Sequence, residues 1–387
     1  MRHRIRRLAA FICCICILVP ALFVTANGAE NTGAVNKKDV IRLGYAESEE
    51  YGSFTQLLLD ISKKLIDEGS IDPKLLLKYG NADFEVKFRE GDTLALWNAM
   101  CDANRPDGRY QLTRDAFFNF DEMDESEYPA VVNRDDVDIM LSMGTVSGVY
   151  LAEHEETNKY MNMYSGDPIG SGIVKSETER TNINGFATVD TTPYIRQIDT
   201  GYKFLKFKKL GVVYEDSEEA YSYSAIDVIE KKAEEYGFEV VYEYVDEPVG
   251  SGDYDRYYSE LKEAYRSLAD QGIDCLYITI ASIDYEDKMQ ELLDDAIIPA
   301  GIMTLAQDDF MPLPYGALFG VTINDCNETA AHVFSQIRAY AEEGVPFEEL
   351  DMICETTPRI GVNYTTAKKI GFKVGFENLQ MVDRVFR

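Results

Sequence analysis

Histidine is nearly absent from this chain of 387 residues. Only His3, His154 and His332 occur, widely separated, and no H-E-x-x-H pattern exists. That removes the usual zinc-hydrolase signature. No G-x-G-x-x-G follows a strand-like run, no Walker sequence is present, and Gly170-Ser171-Gly172 has the wrong spacing, so nothing marks a dinucleotide or nucleotide phosphate site. The nearest approach to a G-x-S-x-G nucleophile elbow is G-T-V-S-G at 144–148, with the serine one place late. Basic residues are also outnumbered, 38 against 68 acids, for a net charge of −30. Such a chain does not bind nucleic acid by phosphate neutralisation and is repelled by anionic membranes. At this acidity carboxylate pairs are inevitable and carry little weight as glycosidase acids.

Cysteine is sparse, and past the N-terminal segment it never forms C-x-x-C. Cys13, Cys14 and Cys16 lie in an apolar run, and no Leu-small-small triplet precedes them as lipoprotein acylation would require. Cys101, Cys275, Cys326 and Cys354 remain; Cys275 reads as a buried thiol in a strand, and a Cys326–Cys354 bridge stays open.

The N-terminus supplies what the rest lacks: four arginines before residue 8, then an apolar stretch at 8–26 interrupted by Pro20, then small residues. Residues 1–29 read as a secretory signal, with a retained anchor as the alternative, and 30–39 as a flexible leader. Loss of that segment removes four arginines and no acid, leaving the mature chain still more negative.

One pattern occurs twice. IRLGYAESEEYGSFTQLLLDISKKLIDEG at 41–69 and LGVVYEDSEEAYSYSAIDVIEKKAEEYG at 210–237 are each an apolar strand, a Ser-Glu-Glu loop and an amphipathic helix ended by glycine. Short apolar runs alternate with helical patterns throughout. Strands are expected at 40–45, 84–88, 137–142, 160–164, 210–214, 238–244, 275–280, 298–303 and 317–322. That alternation predicts an α/β protein of two Rossmann-like lobes with parallel sheets. The acidic, aromatic stretch 102–136 reads as an insertion, with 110–112 pairing 117–120 in a hairpin, and serves either as a cleft lid or as surface elaboration.

Ligands of open parallel sheets sit beyond the strand carboxyl ends. The uncharged loop 142–148 offers Gly144, Thr145 and Ser147 as a seat for a carboxylate at a helix start. Acidic loops at Glu47, Asp167, Asp216 and Asp308 suit an ammonium, and Tyr45 and Tyr51 are stacking candidates. Together these predict a zwitterion such as an amino acid. Plain helix capping explains any one of these residues equally well.

Four segments carry a resemblance. SGDPIGSGIVKS at 165–176, MGT at 143–145, KLGVVYED at 209–216 and RIGVNYTTAKKIG at 359–371 together resemble a family of ABC-transporter substrate-binding proteins with the type I periplasmic-binding fold, including tryptophan- and other aromatic amino-acid-binding members. The resemblance implies a two-lobed clamp with several hinge crossovers: 40–174 plus 325–345 as lobe 1, and 175–324 plus 346–387 as lobe 2. It implies ligand contacts at Gly144 and Thr145, a hinge role for Asp167, and Glu215 and Ser282 facing from the second lobe. It implies no catalytic residue, cofactor or metal. The expected protein is an exported monomer, periplasmic or cell-surface associated, that captures a small ligand for a membrane ABC permease. A ligand-sensing receptor module and a secreted α/β hydrolase are the competing readings.

Overall fold

The computed structural model describes residues 40–387 except Ser251. The expected signal segment and leader lie outside the described residues.

The strands form two separate sheets. The first contains β1 (Ile41–Glu47), β2 (Tyr110–Asn119), β3 (Ile139–Met143), β4 (Lys159–Met163) and β5 (Gly185–Ala187), in the order β2-β1-β3-β4-β5 with every pairing parallel. The second contains β6 (Lys209–Tyr214), β7 (Glu239–Tyr244), β8 (Cys275–Ile278), β9 (Met303–Ala306), β10 (Phe319–Val321), β11 (Ile360–Asn363) and β12 (Arg384–Phe386), in the order β12-β11-β10-β9-β8-β6-β7. Only β10 and β11 run antiparallel. Central strands β3, β8 and β11 are buried at every residue, as expected where helices cover both faces of a parallel sheet.

Four sequence expectations need correction. Residues 110–119 are one continuous strand parallel to β1, with a register shift between Leu43 and Tyr45, not a hairpin. The chain after it is no lid: Phe120 and Val131 pack with Ala46, Met140 and Tyr160 against the first sheet. The expected strand at 298–303 is a turn, and β9 starts where that run ends. Pro299 has no N–H to give a central ladder. The first lobe does not end at 174, because β5 completes its sheet, and its returning segment continues past 345, since Phe347, Leu350 and Met352 belong to its core.

The fourth correction concerns residues 84–88, which form no strand. Their apolar alternation is real but serves two cores: Phe84 packs into the first lobe and Val86 against the second. This strap is tied down by Asp83 to Arg384 and by Glu85 to Arg359 at 3.0 and 3.2 Å. Gln56 Oε1 accepts from Phe84 N at 3.1 Å. The Phe84 carbonyl oxygen lies where a Cβ on Gly52 would be, 2.2 Å from that position.

The chain passes between lobes three times: between β5 and the helix Pro193–Leu205, between β10 and the helix Cys326–Arg338, and between Met352 and β11. Gly52→Ala places a methyl against backbone that no rotamer can move aside. We expect it to lower stability by about 1–3 kcal/mol, measured by denaturant unfolding.

Candidate functional site

The two repeated strand–loop–helix units start their helices differently. Ser217 caps its helix by accepting from Ala220 N. In the first lobe the helix Gly52–Asp67 starts at Tyr51 with no side-chain cap, leaving its first turn at a cavity. The helix Pro193–Leu205 also opens there, with proline at its first position where no N–H is needed.

The cavity holds about 320 Å³. Lobe 1 contributes Glu49, Tyr51, Ser53, Phe54, Tyr164 and Ser165; lobe 2 contributes Tyr194, Ile280, Gln307, Asp308 and Asp309. All three crossings reach it, through Thr188 and Asp190, Ile323 and Asn324, and Cys354. No lysine, arginine or histidine lines it.

Its polar groups are held in place. Asp308 accepts from Tyr51 Oη across the interlobe gap at 2.7 Å and from Tyr285 Oη at 3.1 Å. Burial raises the Asp308 carboxyl above its ordinary range, and the two tyrosine hydroxyls oppose that shift. Asp309 sits in the left-handed region (φ 44°) and accepts from Ile323 N at 2.8 Å. Its carboxyl is pushed well above the usual range, first by burial and further by the charges of Asp308 and Glu85. Gln307 is fully buried, donating to Tyr223 O at 2.7 Å and accepting from Ile280 N at 2.9 Å. Burial pushes the Tyr194 hydroxyl up to about 12 and the Cys354 thiol up to about 11.

Of the eleven residues singled out from the sequence, two line this cavity, Asp308 and Tyr51. Tyr45 is fully buried, stacked on Phe117 at 5.3 Å and donating to Glu47 Oε2 at 2.8 Å, so neither side chain reaches a ligand. Ser147 is buried and bonded to Ser142 Oγ, Met143 O and Ser48 Oγ, which uses up the hydroxyl expected to seat a carboxylate and presents no nucleophile. Gly144 makes the left-handed turn into the helix Thr145–His154 (φ 84°), and a Cβ there would meet Ser48. Thr145 is exposed and pairs with Ser165 at 3.0 Å, one residue from the cavity. Asp167 caps its own loop at Gly170 N. Glu215 and exposed Asp216 stand outside the lining, and Ser282 N donates to Glu247.

The sequence reading missed Tyr164, Tyr194, Asp190 and Cys354, all on or beside the crossings. Two signals pointed there: Asp190-Thr-Thr-Pro193 is a helix start, and Asp325-x-x-Glu328 caps another, with Asp325 accepting from Glu328 N at 2.8 Å. Cys326 and Cys354 are free thiols, as are Cys101 and Cys275, so no bridge joins them. Among the described residues no helix is long and apolar enough to cross a membrane.

No family model and no curated protein matches the sequence. Solved structures do. The ligand-free, open form of a substrate-binding protein with adhesive properties from Clostridium difficile is 18% identical, covering 90% of this chain and 99% of that one with a TM-score of 0.63. The chain has the type I periplasmic-binding fold. An ABC domain in complex with L-Trp from Streptococcus pneumonia is 15% identical over 90% of this chain and 100% of that one, at a TM-score of 0.58. A conserved domain protein from Vibrio cholerae is 14% identical over 89% and 99%, at 0.55. The two-lobe architecture implied by the sequence resemblance is thus the observed one.

Burial, the largest cause, pushes the Glu47 carboxyl up to about 8. Between its ordinary 4.5 and that value the folded state holds a proton that the unfolded state releases, so raising the pH favours unfolding. Glu47→Gln should remove a pH-dependent loss of about 5 kcal/mol over that interval, visible as a flatter stability-against-pH profile.

Proposed function

We propose that this protein is the extracytoplasmic solute-binding component of an ABC importer, trapping a small ammonium-bearing ligand in the interlobe cavity. One observation carries the reading: a single cavity takes its walls from both lobes and from all three chain crossings. A solute seated there touches groups whose separation changes when the lobes move, so binding biases the clamp toward closure. The lobes act as rigid units rocking about the crossings, and delivery to a membrane permease follows export of the chain. The fold shared with a substrate-binding protein supports capture rather than turnover, and no histidine lines the cavity to activate its serines, its threonines or Cys354.

The ligand contacts in this reading are Tyr51, Phe54, Tyr164, Tyr194, Asp308 and Asp309. The aromatic rings bury the ligand body, and the two aspartates face its ammonium. Amino acids and their relatives fall within this class.

A thermal-shift panel of amino acids, amines, nucleosides and sugars tests it. A solute that binds only the folded state must raise Tm as its concentration rises. We expect such a rise with an ammonium-bearing compound, lost in Tyr194→Ala, together with a ligand-induced fall in radius of gyration by small-angle scattering. A rise with no fall in radius would refute the clamp; no rise with any compound would refute solute capture.

A further inference from the structure

The solute-binding reading leaves open which ammonium compounds fit, and the charges around the cavity narrow the choice. We propose that the cavity selects small aralkyl amines, monocations without a carboxylate, over the corresponding amino acids. The inference rests on the solute-binding reading above.

Four carboxylates line the cavity, those of Glu49, Asp190, Asp308 and Asp309, and no cationic side chain does. Two arginines bind carboxylates in this region, and one of them already neutralises a cavity acid, Asp190. Arg196 is bound to Asp190, with Nη1 to Oδ1 at 3.0 Å and Nη2 to Oδ2. Arg359 is bound to Glu85 and, at 2.6 Å, to Asp325. Asp308 and Asp309 are left with hydroxyl and amide donors only: Tyr51, Tyr285 and the Ile323 N–H. Adjacent carboxyls withdrawn from water either hold a proton, the direction in which Asp308 and Asp309 are pushed, or take a countercharge, which a ligand ammonium supplies.

A ligand carboxylate fares worse. The loop expected to receive it turns its hydroxyls elsewhere, Ser147 into its own lobe and Thr145 onto Ser165. The remaining seats are the uncapped starts of the helix Pro193–Leu205, whose first residue has no N–H, and of the helix Gly52–Asp67. A helix terminus offers about half a unit of positive charge. Glu49, a full negative charge, lies three residues before that helix and also lines the cavity. Formal charges therefore outweigh the dipole, and a net cation gains where a net-neutral zwitterion gains little. Tyr51, Phe54, Tyr164 and Tyr194 bring aromatic rings to the same space, which suit both a ligand ring and an ammonium. A volume of about 320 Å³ is at the small end for ligand cavities and matches one ring with a short chain.

The experiment is isothermal titration of the purified protein at neutral pH with two matched pairs, tyramine against tyrosine and tryptamine against tryptophan. We expect at least one amine to bind tenfold or more tighter than its amino acid. Asp309→Asn keeps the acceptor for Ile323 N and suits the left-handed backbone. It should weaken the amine at least tenfold and leave the Tm of the unliganded protein within a few degrees or raise it. An amino acid binding as tightly as its amine, or amine affinity unchanged in Asp309→Asn, overturns the inference while the solute-binding reading stands. The same holds if the amines fail but a neutral sugar or nucleoside binds. Absence of binding by amines, amino acids and neutral solutes alike overturns both.

Discussion

Arg359 holds the interlobe region together. It lies on the third crossing, pairs with Asp325 on the second, and reaches Glu85 on the strap of the first lobe. Its backbone is locked as well, since Arg359 N donates to Thr322 Oγ1 at 2.9 Å and Thr322 N donates to Arg359 O at 3.0 Å. One guanidinium thus joins the separate strands of chain between the lobes. An arginine fits this task because its fork can serve several carboxylates at once. Its commitment has an electrostatic result: the guanidinium is shared between Glu85 and Asp325, and no cationic side chain reaches the cavity lining.

The fold was legible in the sequence where one physical pattern had one cause. β1, β3, β4, β6, β7 and β8 are all found within two residues of their expected positions, because buried parallel strands need apolar runs. The expectation failed where the same pattern served another end. Residues 84–88 alternate like a strand, yet the two sets of side chains enter two different cores and no ladder forms. β5, β11 and β12 were not expected; β8 and β10 are as short but lie in the longer apolar runs 275–280 and 317–322.

The candidate site was less legible, for a reason of geometry. The rule that ligands lie beyond strand ends directs attention to loops within each lobe. In this molecule those loops are largely consumed by their own lobe: Glu47 by Tyr45 and Asn119, Ser147 by Ser142 and Ser48, Asp167 by Gly170. The cavity is built from other residues of the strand-end loops and from the crossings, which distant parts of the chain bring together. Tyr51 and Asp308 are 257 positions apart and meet at 2.7 Å. The rule did locate the cavity, since Tyr51 follows β1, Ser165 follows β4, Ile280 follows β8 and Asp308 follows β9; it failed in choosing residues within those loops.

Gly52 gives these contacts a mechanical meaning. The Phe84 carbonyl rests in the space a side chain would fill, so strap and helix start meet with no clearance. A joint without clearance has no backlash: displacement on one side is passed to the other undiminished. The strap is gripped by the second lobe through Val86, Arg359 and Arg384, and the next residues along the helix, Ser53 and Phe54, are cavity wall. Movement of the second lobe is therefore geared directly to the position of that wall, and a glycine, by having nothing to compress, keeps the linkage stiff.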